Sequence, residues 1–194
     1  MASTSEGRFQ RFWLNLPAEA VVAGNASTMT TEGGLQLVVT TLLPGDAAIA
    51  SEPAEPLVET NEPAIGEPMQ FRLQVEALGG PREARFLHVL QGADAGTVAD
   101  PINLVESSTG PPLTGVVVAG TAVLFPVDVG VEVSELIYAA PAGTTRHLVT
   151  GLVPGAGYDV ETQAANGELA VTIRAGASQL ADAGGVLVVE TRDA

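Results

Sequence analysis

The chain has 194 residues, 46% of them apolar, and 23 acidic side chains against eight basic ones, all arginine, for a net charge of −15. Such a surface repels phosphate backbones and anionic bilayers, which argues against nucleic acid and membrane partners, and no apolar run approaches the ~18 residues of a membrane span. The absence of cysteine removes disulfides, thiol nucleophiles and Cys-ligated metals from consideration.

The opening stretch, MASTSEGRFQRFW, contains no apolar run resembling a signal peptide. Within RFQRFWLNL, parity puts Trp13 on the same side as Phe9 and Arg11, and Trp13 is the first candidate ligand-binding aromatic. Asn25-Ala26-Ser27 matches a glycosylation sequon, a pattern common by chance. LQLVVTTLL follows Gly33-Gly34 and reads as a strand leaving a glycine turn. Residues 46–68 then interleave Pro53, Pro56, Pro63 and Pro68 with five glutamates. Proline denies ladder hydrogen bonds and like charges favour extension, so this stretch is expected to be an extended, mobile surface loop within one domain spanning 1–194.

Beyond it, MQFRLQVEA alternates cleanly, with Phe71, Leu73 and Val75 opposite Arg72, Gln74 and Glu76: a strand with one wet face. In RFLHVLQ, His88 shares a side with Phe86 and Leu90, which suggests a buried, hydrogen-bonded imidazole. GVVVAG and AVLFPV are apolar on both faces, as in central strands. GYDVETQAANGELAVTI is the strongest hairpin signal, because Asn166-Gly167 supplies the positive φ angles of a tight turn. GGVLVVET closes the series. Roughly eleven or twelve short strands at this spacing, with negligible helix, predict an all-β chain folded as an antiparallel β-sandwich.

Chemistry-bearing residues are few. Tyr158 follows a Leu-Val-Pro-Gly corner at the spacing of a tyrosine that hydrogen-bonds back to the backbone it has just passed, a structural role. Tyr138, Arg146 and His147 join Trp13 as weak ligand-binding candidates, although Arg146 makes the neighbourhood of His147 unsuited to a divalent metal. Asp94, Asp100 and Asp128 fall in expected loops and are the weak candidates for a calcium site, without the spacing of an EF-hand. No phosphate-binding glycine loop, nucleophile elbow or ordered Ser/His/Asp set is present, so the sequence carries no catalytic signature.

RFWLNLPAEAVVAGN, LQLVVTTLLPGDAAI, FRLQVEA, RFLHVLQGAD, GVVVAGTAVLFPVD and HLVTGLVPGAGYDV occur in an order that resembles the C-terminal β-sandwich region of heparinase II/III-like polysaccharide lyases. The likeness spans most of the chain. In that family a helical toroid bearing catalytic Tyr, His and Asn groups precedes the sheet domains, and neither the toroid nor those groups can be matched here. The resemblance therefore implies a non-catalytic accessory domain, packed beside a catalytic domain or weakly engaging polysaccharide, in an extracellular or periplasmic setting. The alternative is a structural protein that self-assembles into a homo-oligomer through strand edges or the acidic loop.

Overall fold

The computed structural model describes residues 2–3, 5, 7–53, 69–128 and 131–191. All regular structure among them is β, in eighteen strand segments with no helix. The chain divides into two compact units, Met1–Ala99 and Asp100–Ala194. Each encloses its own buried apolar cluster.

The first unit contains β1 (Ala2–Ser3), β2 (Arg11–Leu16), β3 (Ala20–Ala23), β4 (Ala26–Thr30), β5 (Leu35–Leu43), β6 (Ala48–Pro53), β7 (Phe71–Glu76), β8 (Glu83–Ala84) and β9 (Leu87–Asp94). They form sheets ordered β3-β4-β5-β9 and β2-β7-β6, plus the short β1-β8 pair. Leu16 and Leu73 from the three-stranded sheet pack with Ala20, Met29 and Val39 from the four-stranded one. The Ser51 hydroxyl accepts the Ala20 N–H at 3.0 Å, tying β6 to β3.

The expected loop at 46–68 begins too early. Ala48–Pro53 is β6, paired with β7 so that Pro53 stands opposite Phe71. Proline is tolerated there because β6 is the edge of its sheet and Pro53 its last residue. Residues 54–68, where most of the expected loop falls, lie outside the described residues. The segment does not separate domains, since β2 before it and β7 after it are hydrogen-bonded neighbours.

The second unit contains β10 (Ile102–Thr109), β11 (Leu113–Val118), β12 (Thr121–Pro126), β13 (Glu135–Pro141), β14 (Arg146–Val149), β15 (Gly157–Ala165), β16 (Glu168–Ala175), β17 (Gln179–Leu180) and β18 (Leu187–Glu190). One nine-stranded sheet takes them in the order β17-β15-β16-β13-β10-β11-β12-β14-β18. This departs from a simple antiparallel sandwich in two ways. β10 pairs with β11 through Ile102–Glu106 and then with β13 at Ser107 and Thr109, with a break of register between those two residues. A bulge re-aims a strand, so one hydrogen-bonded sheet brings both ladders onto a shared core. The Ser107 hydroxyl holds the break, donating to Pro111 O at 3.0 Å and accepting the Leu113 N–H at 2.9 Å. Second, β12 and β14 run parallel, because the intervening β13 crosses into the other ladder. Residues from both ladders, among them Leu124, Val149 and Leu187 from one and Leu136, Val171 and Ile173 from the other, share one core.

Two local features follow from single residues. Asn166 and Gly167 have φ of 53° and 82°, which closes the β15–β16 hairpin with Ala165 opposite Glu168. Tyr158 is buried and its hydroxyl accepts the Val153 N–H at 3.3 Å, five residues back along the corner between β14 and β15. Tyr158→Phe keeps the ring and removes that bond, so it should lower unfolding free energy by about 0.5–1.5 kcal/mol. Denaturant midpoints measure this, and an unchanged midpoint would show that the corner does not need the hydroxyl.

Candidate functional site

The outer face of the β2-β7-β6 sheet is where exposed aromatic and charged groups meet. Strand pairing sets its rows: Arg11 opposite Glu76 and Ala48, Trp13 opposite Gln74 and Ala50, Asn15 opposite Arg72 and Glu52. The intervening residues Leu14, Leu16, Leu73 and Val75 point into the unit, so the pleat forces this polar set outward. Trp13 is 40% exposed and Phe9, just before β2, is 65% exposed.

Two guanidinium groups sit against these rings. Arg11 lies 4.5 Å from the Phe9 ring centre and 5.8 Å from that of Trp13, while Arg72 lies 5.2 Å from Trp13. At such distances a cation is drawn to the negative face of an aromatic ring, with an attraction of about 0.5–1 kcal/mol at an exposed site. Arg11 is also satisfied electrostatically: its Nε donates to Glu76 Oε2 at 2.7 Å, and Gln74 Nε2 donates to the same oxygen at 3.3 Å. Arg72 makes no ion pair among the described residues, although Glu52 stands opposite it in register.

The other candidates are arranged differently. Tyr138 and His147, treated as ligand-binding candidates on sequence grounds, are both buried in the second unit. The Tyr138 hydroxyl and His147 Nδ1 are 3.0 Å apart, linking β13 of one ladder to β14 of the other across the core. His147 Nε2 is buried without a hydrogen-bond partner among the described residues. A neutral ring whose Nδ1 accepts from the tyrosine leaves only one buried donor unpaired, the least costly protonation. Burial pushes the Tyr138 hydroxyl above its ordinary range. Burial also lowers His147, opposed by the Thr144 backbone and the Glu190 carboxylate. Neither group is accessible to a polymer, so both are structural.

Arg146 is exposed at the β14–β18 rung and pairs with Glu190 at 3.4 Å, a contact of about 0–1 kcal/mol. His88 is half-buried rather than buried. Its Nδ1 meets Thr41 Oγ1 at 3.1 Å and its ring lies 4.2 Å from Phe12, so it joins the two larger sheets of the first unit. Leu90, expected to share its buried side, is exposed. Asp94 ends β9 rather than lying in a loop, while Asp100 and Asp128 are exposed in the second unit. No group of three or more His, Asp or Glu able to hold a metal ion occurs among the described residues, so these three aspartates do not build a calcium site there.

Phe9, Arg11, Arg72 and Gln74 belong to this outer face beside Trp13, beyond the site residues expected from sequence. Alternation puts Arg72 and Gln74 on the wet side of β7 and groups Phe9 and Arg11 with Trp13, but only the β2–β7 register brings Arg72 to Trp13. No family model matches the chain, and no curated protein matches it.

Burial lowers His88 as well as His147 from the ordinary 6.5. The folded state therefore favours neutral rings, and the stability they contribute is complete above the unfolded value and lost as pH falls through the lower folded values. Denaturant midpoints between about pH 7.5 and about pH 5 should fall on the acid side, and His147→Gln should flatten part of that slope. An identical slope in the variant would place the acid sensitivity elsewhere.

Proposed function

We propose that the chain is a non-catalytic accessory module of β-sandwich type associated with polysaccharide processing, engaging glycan through the Trp13 face of its first unit. The observation that carries this reading is the exposed Trp13 ring set among Arg11, Arg72, Gln74 and Asn15 on the outer face of the sheet. An aromatic ring offers apolar contact to the C–H faces of a sugar, and flanking amide and guanidinium groups donate to its hydroxyls. The resemblance of the motif order to the C-terminal region of heparinase II/III-like lyases points the same way. Burial of Tyr138 and His147 supports a binding rather than a catalytic role.

A second reading, a structural protein acting through subunit contacts, draws support from the second unit. Leu104, Val116, Val123, Leu148 and Val188 stand side by side across five strands, with Val116 buried and Val123 and Leu148 half-buried. Leu104 and Val188 at the ends of that row, and Phe125 one step along β12, are exposed. Sedimentation over a range of concentrations separates the readings, since assembly requires oligomers and glycan engagement does not.

Affinity electrophoresis and calorimetry against a panel of neutral and acidic polysaccharides test the main reading. The unaltered chain should bind at least one class, and Trp13→Ala should weaken that binding by roughly tenfold or more while changing the unfolding free energy by no more than about 1 kcal/mol. Binding indifferent to Trp13→Ala, or no binding to any glycan, contradicts it.

A further inference from the structure

The chain has seven aspartates, and proline follows just one of them, at Asp100-Pro101. That pair opens the second compact unit, directly after the boundary between Ala99 and Asp100. On the near side, Gln36 of β5 ties down the turn that leaves β9. Its Nε2 donates to Thr97 O at 3.0 Å and its Oε1 accepts the Gly96 N–H at 3.2 Å. On the far side, Ile102 enters β10 opposite Val118. Residues 98–101 between these points have no regular secondary structure. Val98 is 91% exposed, and Asp100 and Pro101 are exposed as well. Each unit has its own buried cluster, and every strand ladder among the described residues closes within one unit.

We infer that the Asp100–Pro101 peptide bond is a self-cleavage site at which the folded chain, in acid, parts into its two units. The Asp100 side-chain carboxyl can attack the main-chain carbonyl carbon of its own residue and close a cyclic anhydride. Such an intramolecular attack replaces a bimolecular encounter with water. The carboxyl proton passes to the Pro101 nitrogen, the C–N bond breaks, and proline leaves as a secondary amine. One water then opens the anhydride, so Asp100 becomes a new C-terminus and Pro101 a new N-terminus. The net reaction is hydrolysis. Proline favours the break because its nitrogen is a more basic leaving group and carries no N–H for a ladder to hold. Inside a strand, ladder bonds on both sides would fix the Asp100 backbone, and no ladder runs through 98–101. The first product, Met1–Asp100, keeps the Trp13 face and its core, and the second, Pro101–Ala194, keeps the nine-stranded sheet. The chemistry needs nothing from the Trp13 face.

The test holds the whole chain in acidic buffer, and in neutral buffer beside it, with protease inhibitors present. Intact-mass spectrometry and far-UV circular dichroism follow the same samples over days. In acid, Met1–Asp100 and Pro101–Ala194 should accumulate at a rate independent of chain concentration while the β signal persists. Asp100→Ala should abolish both products. Asp100→Glu should slow them by about tenfold or more, because the longer side chain gives up more freedom on closing the ring. Pro101→Ala keeps the carboxyl but loses the better leaving group, and should slow them as well. Both positions are exposed and outside strands, so the variants should unfold at the denaturant concentration of the unaltered chain. Cleavage that starts only after the β signal is lost, that continues in Asp100→Ala, or that runs equally fast at neutral pH overturns the assignment. A folded chain that stays intact in acid overturns it too.

Discussion

A β-strand can bury only every second residue, and in the β2–β7 pair this constraint fixes both the core and the candidate site. Leu14, Leu16, Leu73 and Val75 take the inward positions, and Arg11, Trp13, Arg72 and Gln74 are thereby committed to the outer face. Shifting the register by one residue would put two arginines inside and expose the leucines, at a cost no local contact could offset. The Arg11–Glu76 pair and the ring contacts of Arg72 then need only modest energies of their own. Core burial holds their strands in place, and the surface interactions arrange side chains whose positions are already set.

The same constraint explains the polar pair inside the second unit. Tyr138 and His147 fall on inward positions of β13 and β14, strands belonging to different ladders of one sheet. Each brings a polar group into an apolar core, and each is the other's hydrogen-bond partner at 3.0 Å. An unpartnered hydroxyl or imidazole there would cost about 1–3 kcal/mol, so removing either partner destabilises through the one left behind. The pair also holds the two ladders in register across the core. Residue types familiar from acid–base catalysis thus serve here as a fastener, isolated from solvent by the sheet that encloses them.

Much of this was legible in the sequence where the signal is local. The alternation in MQFRLQVEA sets the wet face of β7, Asn166-Gly167 sets a hairpin, and the spacing from Leu152 to Tyr158 matches a backward hydrogen bond within five residues. What was not legible depends on partners distant in the chain. Nothing near Trp13 announces Arg72, and nothing in TTRHLV says that His147 faces Tyr138 rather than solvent. Proline misled at Ala48–Pro53, because a proline that ends an edge strand reads, in sequence, like the beginning of a loop. Where eleven or twelve strands are expected, eighteen segments form among the described residues. Two units arise because each half closes its own core, and the change of partner by β10 at Ser107 has no marker in composition.

Trp13 is the only tryptophan in the chain, so its intrinsic fluorescence reports on the outer face of the β2-β7-β6 sheet and on nothing else. The most direct measurement is a fluorescence titration with the glycan that calorimetry shows to bind. Ligand seated on the ring should shift and saturate the emission with the same dissociation constant that calorimetry gives. Saturable binding by calorimetry with the Trp13 emission unchanged throughout would place the ligand elsewhere and contradict the account.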